Sequence, residues 1–125
     1  MGLTDLRVRV ASVSDPGRAE DVTMLLDTGA LYSVVPTTVL ERLGVEPDRV
    51  ERFTLADGRT IRRRLGIALF QVAGRRAAST VIFGRPRDSA ILGALTLEEF
   101  GLMLDPLRRD LKPLHLRLGA VALTS

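Results

Sequence analysis

Leu6, Val8 and Val10 alternate with Arg7 and Arg9 near the start of the chain, the two-residue period of a strand with one buried face. Asp15-Pro16-Gly17 is a strong turn signal, and it predicts a hairpin return into Val22-Thr23-Met24-Leu25-Leu26. Farther on the period changes: Pro36 suits a first helical turn, Thr38 and Glu41 fit a capping box, and Val39, Leu40 and Leu43 form an apolar stripe stopped by Gly44. A short helix is predicted there. Arg52 to Leu55 and Thr60 to Arg63 then flank Ala56-Asp57-Gly58-Arg59, in which Asp-Gly is a favoured two-residue hairpin turn. Leu65, Ile67 and Leu69 continue the alternation, Gly74-Arg75 reads as a turn, and Ala78 to Phe83 reads as a strand closed by Gly84-Arg85-Pro86. Thr96-Leu97-Glu98-Glu99 is a capping-box pattern that opens a second short helix containing Phe100 and stopping near Gly101. Leu102-Met103-Leu104 and Leu114-His115-Leu116 are the last strand candidates. With no repeats, low-complexity tracts or linkers, the pattern predicts one all-β domain over residues 1–125 with one or two short helices.

Composition leaves room for a core, since 46% of the 125 residues are apolar and 26% charged, which is ordinary globular usage. The lack of cysteine excludes a disulfide framework and a thiol nucleophile, and a single histidine argues against a multi-ligand zinc site. No metal or cofactor is expected. No apolar run reaches membrane-spanning length, and the opening MGLTDLRVRV lacks the apolar centre of a signal peptide, so a cytoplasmic protein without membrane contact is expected. The net charge of +3 comes from 18 basic residues, all arginine except Lys112, which raises the question of nucleic acid. These arginines are scattered, aromatics make up 4%, and no stacking motif is present, so codon bias or a solvated surface explains them more simply. Nucleic acid is not an expected partner. The densest cluster, Arg62-Arg63-Arg64, falls in a predicted strand whose alternation sends neighbours to opposite faces, and its charge favours acidic substrates.

The segment that carries chemistry is Leu25 to Pro36, LLDTGALYSVVP. Asp27 comes directly after an apolar run, and a carboxylate there needs hydrogen-bond donors or a partner to stay ionised. Asp-x-Gly after a strand is also ordinary turn punctuation, in which Asp bonds its own backbone and Gly supplies φ > 0. The tripeptide by itself leaves both readings open. Residues farther along the chain shift the balance: Ala30 and Ser33 come next, and about sixty residues later Ile91-Leu92-Gly93 leads toward the second helix.

Asp27-Thr28-Gly29-Ala30, then Ser33, then the distant Ile91-Leu92-Gly93 resemble in order the motifs of the retropepsin-like aspartic proteases, over roughly Leu6 to Pro106. The resemblance implies an all-β, closed retropepsin-like barrel with a flap hairpin. It also implies an aspartic endopeptidase, a hydrolase in which water is activated between two carboxylates. The chain carries one Asp-Thr-Gly; Asp57-Gly58 lacks the apolar approach strand and the following Ala, and 125 residues suit one domain rather than two lobes. The second carboxylate is therefore expected from Asp27 of a second copy, in a homodimer.

By the same resemblance Asp27 is catalytic, the Thr28 hydroxyl bonds the partner's loop, and Gly29 allows amide hydrogens to approach the carboxylate. Ala30 and Ser33 support the loop, and Ile91, Leu92 and Gly93 pack beneath it. Ala56, Asp57, Gly58 and Arg59 occupy the place of the flap that closes over an extended peptide, although their residues read equally as an ordinary barrel hairpin. Ala30 stands where two-lobed relatives carry Ser, a hydroxyl donor, which implies a pH optimum nearer mildly than strongly acidic. Leu31 and Tyr32 stand where retroviral members have acids, and Ala94 where they have Arg. That ion pair is absent as a whole, so no buried charge is orphaned. His115 is expected at the surface or a dimer edge. The alternative function is a catalytically weak or silent dimeric binding or scaffold module on the same fold.

Overall fold

The computed structural model describes residues 4–116. Its first hairpin joins β1 (Thr4–Ser12) to β2 (Asp15–Leu26), in register from Thr4↔Leu26 to Ala11↔Ala19. The expected turn at Asp15-Pro16-Gly17 lies instead at Val13-Ser14, with Ser12 paired to Asp15 and the register broken between Ala11 and Ser12. Pro16 has no N–H for a ladder and Gly17 no side chain to pack, so the pair falls in the irregularity rather than in the turn. Beyond it β2 buries Met24 and Leu26 and ends one residue before Asp27.

The chain continues through β3 (Ser33–Pro36), α1 (Thr37–Arg42), β4 (Pro47–Thr54), β5 (Thr60–Val72), β6 (Arg75–Gly84) and β7 (Ile91–Leu92). It closes with α2 (Ala94–Glu99) and a separate hairpin of β8 (Leu102–Asp105) and β9 (Asp110–Pro113). The main sheet runs β1-β2-β7-β3-β6-β5-β4, and β5 pairs back to β1 from Arg9↔Gln71 to Ala11↔Leu69. The sheet thus closes on itself as a ring, with β4 outside it on β5. Val8, Val10, Met24, Val35, Phe70 and Val81 fill the centre, and Leu40 of α1, Leu97 of α2 and Phe100 just after α2 pack against them. A mostly β chain with two short helices is what the apolar pattern requires.

Several local expectations move. In α1 the residue before the helix is Pro36, no side-chain cap bond forms, and the Thr38–Glu41 box is unused. The Thr37 hydroxyl donates to the Gly84 carbonyl at 2.9 Å instead, tying the helix start to β6. Burial along β5 changes face at Leu65-Gly66: Leu65 is buried, Ile67 is exposed, and Ala68 and Phe70 are buried. One face of β5 is covered near the flap and the other inside the ring. The β5–β6 turn is Ala73-Gly74, both with positive φ (51° and 76°), as a two-residue hairpin loop demands. The last strand among the described residues is Asp110–Pro113, and Leu114-His115-Leu116 lies just beyond it.

The largest difference concerns Thr96. Because α2 begins at Ala94 with Gly93 before it, Thr96 is no cap but lies inside the helix, fully buried. Its Oγ1 is 2.6 Å from Ser33 Oγ and 2.9 Å from Ser79 Oγ, while the Gly93 N–H donates to Ser33 Oγ at 3.0 Å. Hydroxyls donate and accept, so this cluster joins β3, β6 and α2 with no buried side-chain polar atom left unpartnered among the described residues. Thr96→Val keeps the volume but strips the oxygen shared by Ser33 and Ser79. It should lower stability by about 1–3 kcal/mol, read as a fall in the urea midpoint at constant slope; an unchanged midpoint would contradict it.

Candidate active site

Asp27 sits where β2 stops, and the last two residues of β2 pair with β7. This strand enters between β2 and β3, parallel to the first through Leu25↔Ile91 and Leu26↔Leu92 and antiparallel to the second at Val34↔Ile91. The Leu25 N–H donates to Ala90 O at 2.8 Å and the Asp27 N–H to Leu92 O at 3.1 Å. On the far side of the loop, the Ala94 N–H donates to Ala30 O at 2.8 Å and the Leu95 N–H to Leu31 O at 3.0 Å. Residues 27–32 are stitched to the β7–α2 junction at both ends. A Cβ at Gly93 would lie 2.6 Å from the Tyr32 carbonyl carbon and oxygen and 2.8 Å from Leu31 O, so only glycine lets the two segments pass.

Within the loop the half-buried Asp27 accepts the Gly29 N–H on Oδ1 at 2.9 Å, and the Ala30 N–H closes on Asp27 O at 3.1 Å. A Cβ at Gly29 would come within 3.2 Å of that same Oδ1, so the glycine keeps the carboxylate's side clear. Asp27 opens onto a cleft of about 850 Å³ bounded by Ala30, Leu31 and Tyr32 of the loop, Ile91 of β7, and Phe53 and Ile61 of the flap strands. Tyr32 meets Phe53 edge to face, with ring centres 6.3 Å apart at 84°, and so braces the flap base against the loop.

The residues expected at the site are distributed unequally. Asp27, Gly29, Ala30, Ala56 and Ile91 face the cleft. Thr28 is exposed and borders a different groove, about 590 Å³, with Ala94 and Leu97 of α2 and Leu102 and Leu104 of β8. Ser33 and Leu92 are fully buried beneath the loop, where they position it without reaching the cleft. Asp57, Gly58 and Arg59 form the flap tip, outside the cleft lining. Its turn is longer than the expected two residues: the Gly58 N–H donates to Leu55 O at 2.9 Å, the Leu55 N–H to Arg59 O at 2.8 Å, and Gly58 has φ 86°. A turn closed by a left-handed glycine is the three-residue hairpin solution. At the tip Asp57 accepts the Arg59 N–H at 3.0 Å and Nε at 2.7 Å, which hold its carboxyl below the ordinary range.

Two sets of cleft residues escape the sequence reading. Phe53 and Ile61 had a usable signal, since each is apolar within an alternating flap strand and paired to the other in register. Arg63 and Asp88 had none, being 25 positions apart on different elements. Arg63 Nε donates to Asp88 Oδ2 at 2.8 Å and Nη2 to Oδ1 at 3.1 Å, while the Arg85 N–H donates to Oδ2 at 2.8 Å. Arg63 holds the Asp88 carboxyl below its ordinary value, and Asp88 raises Arg63 in turn. This bidentate pair is 11% and 26% exposed and fastens the flap base to the segment before β7.

A family model described as "Aspartyl protease" matches residues 8–95, which include both the loop and β7. Among solved structures, the chain is similar to the solution structure of Simian Foamy Virus (mac) protease, at 19% identity and a TM-score of 0.55, over 76% of this chain and 92% of that one. No curated protein matches the sequence significantly.

The Asp88 shift gives the pair a pH signature. A carboxyl whose folded pKa is depressed contributes stability that is present above its ordinary value of 3.8 and lost as pH falls through the lower folded value. Asp88→Asn should therefore lower stability at neutral pH and flatten the loss below about pH 4, measured as urea midpoints across the acid range. An acid limb as steep as in the wild type would contradict this.

Proposed function

The chain belongs to the aspartyl protease family, and from that premise we propose that it is an endopeptidase whose catalytic unit is two Asp27 carboxylates, one from each of two copies. The observation that carries the reading is a single carboxylate, fixed by the Gly29 N–H at the wall of a long cleft beneath a hairpin, in a chain with one Asp-Thr-Gly. Two such groups brought together cannot both ionise readily, so the pair holds one proton between them. The ionised carboxylate takes a proton from water as the oxygen attacks the peptide carbonyl, and the protonated one donates to the carbonyl oxygen. Collapse of the tetrahedral intermediate then returns a proton to the leaving amine, with no covalent acyl-enzyme.

Gly29 and Ala30 shape the loop around the carboxylate, and Ser33, Leu92 and Gly93 hold it from below. Thr28 supports the paired arrangement: it points away from the cleft, toward the groove that α2 and β8 border, where a second loop would meet it. Its hydroxyl is the group that would bond the partner chain. The substrate is an extended peptide between the dyad and the flap, because a strand-like segment can satisfy its backbone groups along the cleft. Leu31, Tyr32, Phe53, Ile82 and Ile91 favour apolar side chains there.

Asp27→Asn is the direct test. It should reduce cleavage of an unbiased peptide library by about 10²- to 10⁴-fold while leaving the dimer mass unchanged. Cleavage that persists in the variant would refute the aspartic mechanism, and a wild type that dimerises without cleaving any peptide would favour the scaffold alternative.

A further inference from the structure

The flap base carries different chemistry on the face turned from Arg63. The β4–β5 register sets Arg52 opposite Arg62 and Val50 opposite Arg64, so these four side chains share one face, while Glu51 and Arg63 share the other. Like charges directly opposite one another on paired strands repel. Arg85, just after β6, comes to the same place: Arg62, Arg64 and Arg85, with Thr37, Val50 and Phe83, line a pocket of about 200 Å³. Arg63 also contributes to the wall, but its charge is taken by Asp88.

No acidic residue lines this pocket. Arg7, Arg42, Arg49, Arg59 and Arg63 meet carboxylates, and Arg52, Arg62, Arg64 and Arg85 are among the other described arginines that take part in no ion pair; what sets Arg62, Arg64 and Arg85 apart is that they share one pocket. One of the donors is also held in place, since the Arg64 guanidinium lies over the Phe83 ring, 4.9 Å from its centre. Arg62 and Arg64 have no carboxylate partner, and Arg85 feels the Asp88 carboxylate without forming an ion pair with it, so the cavity they share keeps an excess of positive charge that an anion from outside the chain can meet.

We propose that this pocket binds a free tetrahedral oxyanion, inorganic phosphate or the chemically equivalent sulfate, between the guanidinium groups of Arg62, Arg64 and Arg85. Planar guanidinium forks match the oxygens of such an anion, and two or more converging forks hold it far better than one. The pocket suits a single group rather than a polymer: its one ring, Phe83, is 2% exposed and covered by Arg64, which leaves no platform for stacking a nucleobase. A bound anion would bridge β5 of the flap hairpin to the end of β6, and so stiffen the base on which the flap stands. By offsetting the charge of Arg62 it also weakens the Arg52–Arg62 repulsion across the strands. Anion binding here does not depend on peptidase activity.

The test uses the full chain at constant ionic strength, titrated with phosphate, sulfate or chloride and followed by calorimetry and thermal unfolding. Phosphate and sulfate should bind saturably and raise Tm, and chloride should not. Because Arg62 and Arg85 are exposed, the Arg62→Gln/Arg85→Gln double variant should fold normally and bind phosphate at least about tenfold more weakly. Arg52→Glu, which supplies an internal counter-charge to Arg62, should raise Tm without phosphate and shrink the phosphate-induced shift. Three results would overturn the proposal: phosphate acting no differently from chloride, full affinity in the double variant, or a single-stranded oligonucleotide that binds more tightly than phosphate with a steep salt dependence.

Discussion

The fold depends on a backbone crossing that tolerates no side chain. Where Gly93 passes Leu31 and Tyr32, the carbonyls lie so close that a single methyl group would overlap them. That approach allows the Ala94 and Leu95 N–H groups to reach the carbonyls of Ala30 and Leu31, and the Gly93 N–H to reach Ser33 Oγ. The loop bearing Asp27 is thereby fixed from outside itself. Ser33 passes the same constraint inward, through Thr96 to Ser79, so β3, α2 and β6 are locked to one another by hydroxyls rather than by apolar contact alone. A polar knot of this kind specifies one register, because sliding any member strands a buried donor or acceptor.

From that anchor, order spreads to the flap by two contacts of different character. Tyr32 against Phe53 ties the loop to β4 by apolar area, and Arg63 with Asp88 ties β5 to the segment before β7 by a charged fork. The hydrogen bonds described at the tip, by contrast, are internal to residues 55–59. The described hydrogen bonds of the tip are thus separate from those that hold the carboxylate below. Such a division suits the proposed role of the hairpin as a cover over an extended peptide.

Much of this was readable from residues alone, because the decisive signals were local. The alternation of Leu6, Val8 and Val10, the apolar approach to Asp27 and the Gly after Ile91-Leu92 each record a local backbone demand. Legibility failed where a residue type had two local meanings and tertiary packing chose between them. Thr96 with Glu99 looks like a cap, yet the crossing at Gly93 starts the helix earlier and turns Thr96 into the core. Asp15-Pro16-Gly17 looks like a turn, yet pairing of β1 with β2 places the reversal ahead of it. Leu65 and Ile67 share a face, but β5 leaves one layer and joins the ring between them, so their burial differs. The Arg63–Asp88 fork belongs to a third kind, a contact set only by the closure of the sheet, for which no spacing rule exists.

The proposed mechanism makes each chain hold half of a catalytic site, and mixing separates that from any mechanism complete in one chain. Wild type and Asp27→Asn are unfolded together and refolded at fixed total concentration, and peptidase activity is measured against the wild-type fraction. If both Asp27 carboxylates are required, mixed dimers are silent and activity varies as the square of that fraction, about a quarter of the full value in an equal mixture. A straight line, with about half the activity in the equal mixture, would show that each Asp27 acts within its own chain and would contradict the shared site.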